Sequence, residues 1–129
     1  MRVNDFLKNN CVQLCVLSVA VLYGAFLRLY NLGAQSLWMD EGYTWLAVKS
    51  ILETGVSVLP SGVAYTCTLF CYPTAFFVDL LGESAFSLRF FAAIAGILTI
   101  PVIYLLGKRM FNGHVGLLSA IFLAFSYWH

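Results

Sequence analysis

Apolar and polar positions fall in long blocks along this chain. Residues 1–10 are polar and include Arg2 and Lys8; nothing is charged from Cys11 to Leu27, and that run closes with Arg28 and Tyr30. A second uncharged run covers Phe90–Leu106, and a third opens at Val115 but offers only 14 residues up to Trp128. A bilayer crossing needs about 20 residues. The first run is longer than the roughly 7–15 residues of a signal-peptide core, and no small-x-small cleavage site follows it, so it reads as a transmembrane helix. The third stops short, so the sequence looks cut off inside a helix, as the N-terminal part of a larger polytopic domain would be. The pattern predicts an all-α integral membrane protein with about three transmembrane helices, near 11–30, 88–106 and an incomplete 115–129. An outer loop, 31–87, carries amphipathic juxtamembrane helices.

Within that loop, Asn31 and Gly33 mark the exit from the first helix. Asp40 stands where an N-cap would, before a helix running to about Glu53. Trp45, Val48 and Leu52 recur at helical spacing, Lys49 and Glu53 form an i,i+4 pair, and Gly55 suits a left-handed C-cap. Pro60-Ser61-Gly62 make a loop. Val63–Leu81 is long enough to span, but Pro73 interrupts it and Asp79 lies near its end. If it crossed, Lys108 and Arg109 would lie opposite Arg2 and Lys8. If it lies at the interface, all four cations share one side, as the positive-inside rule prefers. The interfacial arrangement is the expectation, with the N-terminus cytoplasmic and the protein in the cell (inner) membrane. In the second run Ala92 and Gly96 permit close helix approach and Pro101 predicts a mild kink. Gly107 to His114 reads as a short basic turn.

Composition agrees. The chain is 61% hydrophobic and only 10% charged, with mean hydropathy +0.87, against about 25% charged residues in a soluble domain. A net charge of +1 gives no electrostatic footprint for nucleic acid. The four cysteines form two i,i+4 pairs, Cys11/Cys15 and Cys67/Cys71. Helical i,i+4 positions stand about 5–6 Å apart at Cβ, too far for a disulfide, so they read as small packing residues. His114 and His129 have no partners at metal-ligand spacing. No cofactor is indicated, and a divalent metal stays open.

The chemically suggestive segment is Trp38-Met39-Asp40-Glu41, a carboxylate pair at the mouth of a membrane helix. Asp40 is either a helix cap or a proton acceptor, and the two are compatible. Glu41 is either a first-turn dipole residue or its chemical neighbour. Arg28 and Arg89, at the outer ends of spans, are either snorkelling cations or anion ligands. Tyr30, Trp38, Tyr43 and Trp45 fit an interfacial belt as well as a sugar platform.

Taken in order, Arg28-Leu29-Tyr30, Trp38-Met39-Asp40-Glu41, Gly55, Tyr72-Pro73, Leu81-Gly82-Glu83-Ser84-Ala85-Phe86-Ser87-Leu88-Arg89, Tyr104-Leu105-Leu106-Gly107-Lys108-Arg109 and Ser126-Tyr127-Trp128-His129 resemble the N-terminal region of the C-type (GT-C) polytopic glycosyltransferases. The closest branch looks like that of the protein O-mannosyltransferases and lipid A aminoarabinose transferases. The likeness runs from about residue 24 onward.

The resemblance implies a polyprenyl-phosphate-linked sugar donor and transfer on the outer face of the membrane, to a lipid, glycan or protein acceptor through a hydroxyl or phosphate. It implies catalytic roles for Asp40 and its neighbour Glu41, and substrate contacts for Arg28, Arg89 and Tyr72. At Tyr72-Pro73-Thr74 the chain departs from the His-Pro-Pro of many relatives, which bears on substrate identity more than on reaction class. Such a transfer needs a base for the acceptor proton and fixed cations for the departing phosphate. The competing classes are a non-catalytic multispan scaffold and a transporter. A transport path predicts ionisable residues deep in a span, whereas the charges here cluster at span ends.

Overall fold

The computed structural model describes residues 3–65 and 67–126, with residues 3–10 as backbone alone. Arg2, the side chain of Lys8 and the closing Tyr127-Trp128-His129 lie outside the described residues. Among the described residues the regular structure is helical, in the order α1 (Val3–Leu29), α2 (Met39–Thr54), α3 (Thr68–Leu81), α4 (Ala85–Met110) and α5 (Gly113–Phe125). The protein is therefore an all-α membrane protein, and two of its helices are long and apolar enough to cross a bilayer. These are Cys11–Leu29 within α1, with mean hydropathy 1.9, and Ala85–Met110, with mean hydropathy 2.2. Only 17% of either segment is buried inside the chain, so neither is the core helix of a soluble domain. Their outward residues, Val19, Leu22, Phe26, Leu98, Val102 and Leu105, suit hydrocarbon. At 1.5 Å per residue α3 reaches about 21 Å and α5 about 20 Å, each short of a roughly 30 Å hydrocarbon core.

The chain forms two compact units, 1–30 with 93–129, and 31–92. In the first, α1, the later turns of α4 and α5 enclose Ala20, Ile100, Tyr104, Ala120 and Ala124. Contact there depends on small residues. A Cβ on Gly116 would stand 2.5 Å from the Tyr104 carbonyl oxygen, and one on Gly107 would stand 2.7 Å from the Gly116 Cα. Helices without a hydrophobic drive between them pack by such backbone approach. The close pair is therefore Gly107/Gly116; Ala92 is exposed and Gly96 faces the Arg28 side chain. Gly116, Ala120 and Ala124 are the buried residues of α5, a small-residue stripe at four-residue spacing. A polar link joins α1 to α4 in the same unit, where the buried Tyr104 hydroxyl donates to Gln13 Oε1 at 3.3 Å.

In the second unit α2 packs on α3 around Ala47, Val48, Cys71, Ala75, Val78 and Leu88, with Trp45, Ile51 and Tyr65 against them. The predicted face of α2 is thus rotated slightly, since Leu52 is exposed. Cys71 alone of the four cysteines is buried. Phe77 meets Phe90 and Phe91, and Phe70 meets Phe91, which fastens α3 to the first turns of α4. Between α2 and α3 a tight turn returns the chain: Gly62 N–H donates to the Leu59 carbonyl, and Leu59 N–H to that of Val63.

Several helix boundaries differ from the sequence reading. Helix α1 begins at Val3, well before the uncharged run. Helix α4 starts early because Ser84 Oγ accepts from Ser87 N–H. It ends late, with Lys108 and Arg109 in its last turn, where cations favour the helix terminus. The basic turn shrinks to Phe111 and Asn112, because the Asn112 side chain accepts from Val115 N–H and caps α5.

Candidate active site at the start of α2

Helix α2 begins one residue before Asp40. Its N-cap is Trp38, in extended backbone at φ −74° and ψ 161°. Asp40 is not the cap predicted from its residue type. The reason is the third helical position. With Trp38 as cap that position is Glu41, whose Oε2 accepts from Trp38 N–H at 3.0 Å. With Asp40 as cap it would be Tyr43, which has no carboxylate to reach back. The sequence contained this signal, since a Glu three residues after the cap is half of a capping box.

Asp40 is exposed. Its backbone carbonyl accepts from the Thr44 hydroxyl, and among the described residues no hydrogen bond or ion pair engages its carboxylate. Trp38 and Met39 beside it are turned outward, 76% and 81% exposed.

Glu41 is held very differently. Arg89 lays its guanidinium on the Glu41 carboxylate, with Nε donating to Oε1 and Nη2 to Oε2, both at 2.7 Å. Arg89 Nη1 also donates to the carbonyls of Leu32 at 2.9 Å and Gln35 at 3.2 Å, and Nη2 to that of Ser36 at 3.2 Å. The side chains of the pair are 13% and 32% exposed. It is the ion pair among the described residues; the predicted Lys49–Glu53 partners do not form one. Gly33 presses on the same turn of α4, where an added Cβ would stand 3.1 Å from the Phe86 Cβ.

The remaining predicted residues lie elsewhere. Tyr72 donates its hydroxyl to the Gly55 carbonyl at 3.0 Å and leaves its ring half-exposed. Gly55 takes φ 78° and its N–H returns to the Ile51 carbonyl, so Tyr72 fastens the end of α2. Arg28 belongs to the other unit. There it donates to the carbonyls of Gly24, Leu123, Ala124 and Ser126, satisfying the last carbonyls of α5, a role that suits a cation at a helix C-terminus. Among the described residues no group of three His, Cys, Asp or Glu is placed to hold a metal ion.

The contacts that Ser84, Ser87 and Gly33 make around α4 escaped the sequence reading, although Ser84 before an apolar run is a recognisable cap signal. Buried Ser87 donates its hydroxyl to the Gly82 carbonyl and shares a hydrogen bond with Ser84. It thereby fixes the turn from which Arg89 projects.

Compared with known families, residues 63–129, just over half of the chain, match the family described as dolichyl-phosphate-mannose-protein mannosyltransferase. The matched segment contains Tyr72 and Arg89; Asp40 and Glu41 precede it. No curated protein and no solved structure matches the chain.

Proposed function

The chain belongs to the dolichyl-phosphate-mannose-protein mannosyltransferase family, and from that membership we propose that it acts in transfer of a sugar from a polyprenyl-phosphate-linked donor to an acceptor on the outer face of the membrane. The start of α2 is the proposed reaction site and Asp40 the proton acceptor. One observation carries this assignment. The capping contact that would give Asp40 a structural role is made by Glu41, while the Asp40 carboxylate stays exposed and unengaged among the described residues.

When the bond between the sugar and the phosphate oxygen breaks, the sugar passes to the acceptor and the polyprenyl phosphate departs as an anion, so the leaving group needs no general acid. The attacking hydroxyl does need a base, because its proton becomes acidic only as the new glycosidic bond forms. A carboxylate within hydrogen-bond reach serves, and it contributes by position more than by intrinsic basicity. Helix position helps: Asp40 lies in the first turn of α2, where the dipole favours the carboxylate anion that awaits the acceptor. For the phosphate charge the resemblance offers Arg28 and Arg89; both guanidiniums are engaged by the chain's own oxygens here, and we assign the base alone. At Tyr72 the exposed ring, not the committed hydroxyl, is the proposed substrate contact.

The reaction class is tested by supplying the intact protein, in detergent, with a polyprenyl-phosphate mannose and, separately, a nucleotide-linked mannose. The proposal expects sugar transfer from the lipid-linked donor only. Transfer from the nucleotide sugar alone would assign a different enzyme class.

A further inference from the structure

We infer that Glu41 and Arg89 together form a buckle that positions Asp40, and that neither is a second base or a ligand for the donor phosphate. This rests on the reading of Asp40 as the proton acceptor. The two residues are 48 positions apart and meet through a two-pronged contact at 2.7 Å on each prong. A guanidinium has five N–H donors, and here each has an oxygen of the chain. The Nε–H and one Nη2–H go to Glu41, and the other three go to the carbonyls of Leu32, Gln35 and Ser36. No donor is left for a phosphate oxygen. The Glu41 carboxylate is occupied on both oxygens by Arg89, and Oε2 also receives Trp38 N–H, so an acceptor hydroxyl has no open approach to it.

The contacts instead define what the pair does. They gather residues 32–41 onto the first turns of α4, with Gly33 close against Phe86 and the α4 turn itself locked by Ser84 and Ser87. Asp40 immediately precedes the clamped residue. Its carboxylate, unengaged among the described residues, is still placed, because the backbone on both sides of it is held by Trp38 N–H and Glu41. Positioning of this kind is sensitive, since misplacing a reacting group by about 1 Å costs about 10²-fold in rate.

The test is a double-mutant cycle on the intact protein, with Glu41→Gln, Arg89→Gln and the double variant. Three quantities are read: kcat per folded enzyme with a polyprenyl-phosphate sugar, the donor KM, and amide exchange of the peptide around Asp40. The buckle predicts that each single variant lowers kcat by about 10–10²-fold, leaves the donor KM within about twofold, and raises exchange at residues 37–42. The double variant should be no worse than the poorer single one, because the second change removes nothing further. If either variant fails to fold, Glu41→Asp and Arg89→Lys run the same cycle with smaller steps. A donor KM raised about tenfold or more by Arg89→Gln but not by Glu41→Gln would make Arg89 a phosphate ligand and overturn the inference. So would multiplicative losses in the double variant, or unchanged exchange. A wild-type protein that transfers nothing would sink the functional reading instead, while the exchange cycle would still decide whether the buckle exists.

Discussion

Asp40 and Glu41 are adjacent acids with opposite surroundings, and that contrast makes separate predictions. Had Asp40 been the cap, its removal would cost about 1 kcal/mol. As an exposed first-turn residue it contributes only a dipole interaction of about 0.3–1 kcal/mol. Asp40→Ala should therefore shift the thermal melt little. Asn112→Ala, which removes the side chain that accepts from Val115 N–H, should cost about 1 kcal/mol. A melt in which Asp40→Ala falls further than Asn112→Ala would restore the capping role. Glu41→Gln should be the most damaging of the acid changes to stability. It leaves a partly buried guanidinium with a weakened partner, at about 1–2 kcal/mol once its exposure is allowed for.

At the scale of helices, packing by small residues makes a prediction with an inverted sign. In an exposed helix Gly→Ala gains about 0.5–1 kcal/mol. At Gly116 the added methyl would meet the Tyr104 carbonyl and Lys108 nitrogen, so Gly116→Ala should destabilise by about 1–3 kcal/mol, the usual range for overpacking. A stabilised Gly116→Ala, measured by melting in detergent, would mean that α4 and α5 do not approach at their backbones. The elements show where sequence reasoning succeeds. Asn31 at φ 61°, Gly55 and the Pro60–Gly62 turn act locally, through backbone preferences that travel with the residue, and they read correctly. Ser84 and Asn112 are equally local signals, but the edges of the uncharged runs drew the boundaries inward. The Glu41–Arg89 contact was not legible at all. Both residues were singled out, yet nothing in the sequence pairs positions that only the packing of α2, α3 and α4 brings together.

For the whole molecule, topology becomes a labelling pattern. Helix α3 is shorter than the hydrocarbon core and carries Pro73 inside it, which supports an interfacial placement. With the native cysteines replaced, single cysteines at Glu53 and Glu83 should both react with a membrane-impermeant maleimide from outside. One at His114 should react only after the membrane is opened. Labelling of positions 53 and 83 from opposite sides would make α3 a crossing helix and divide the proposed site from the start of α4. The proposed function has this membrane protein use the Asp40 carboxylate, at the start of α2, as the base in a lipid-linked glycosyl transfer. Asp40→Asn isolates that claim, because the amide keeps the size of the side chain and removes its capacity to take a proton. Sugar transfer from a polyprenyl-phosphate donor should fall by at least about 10²-fold, with the melt and the donor KM unchanged. An Asp40→Asn protein that transfers sugar at the wild-type rate would contradict the account.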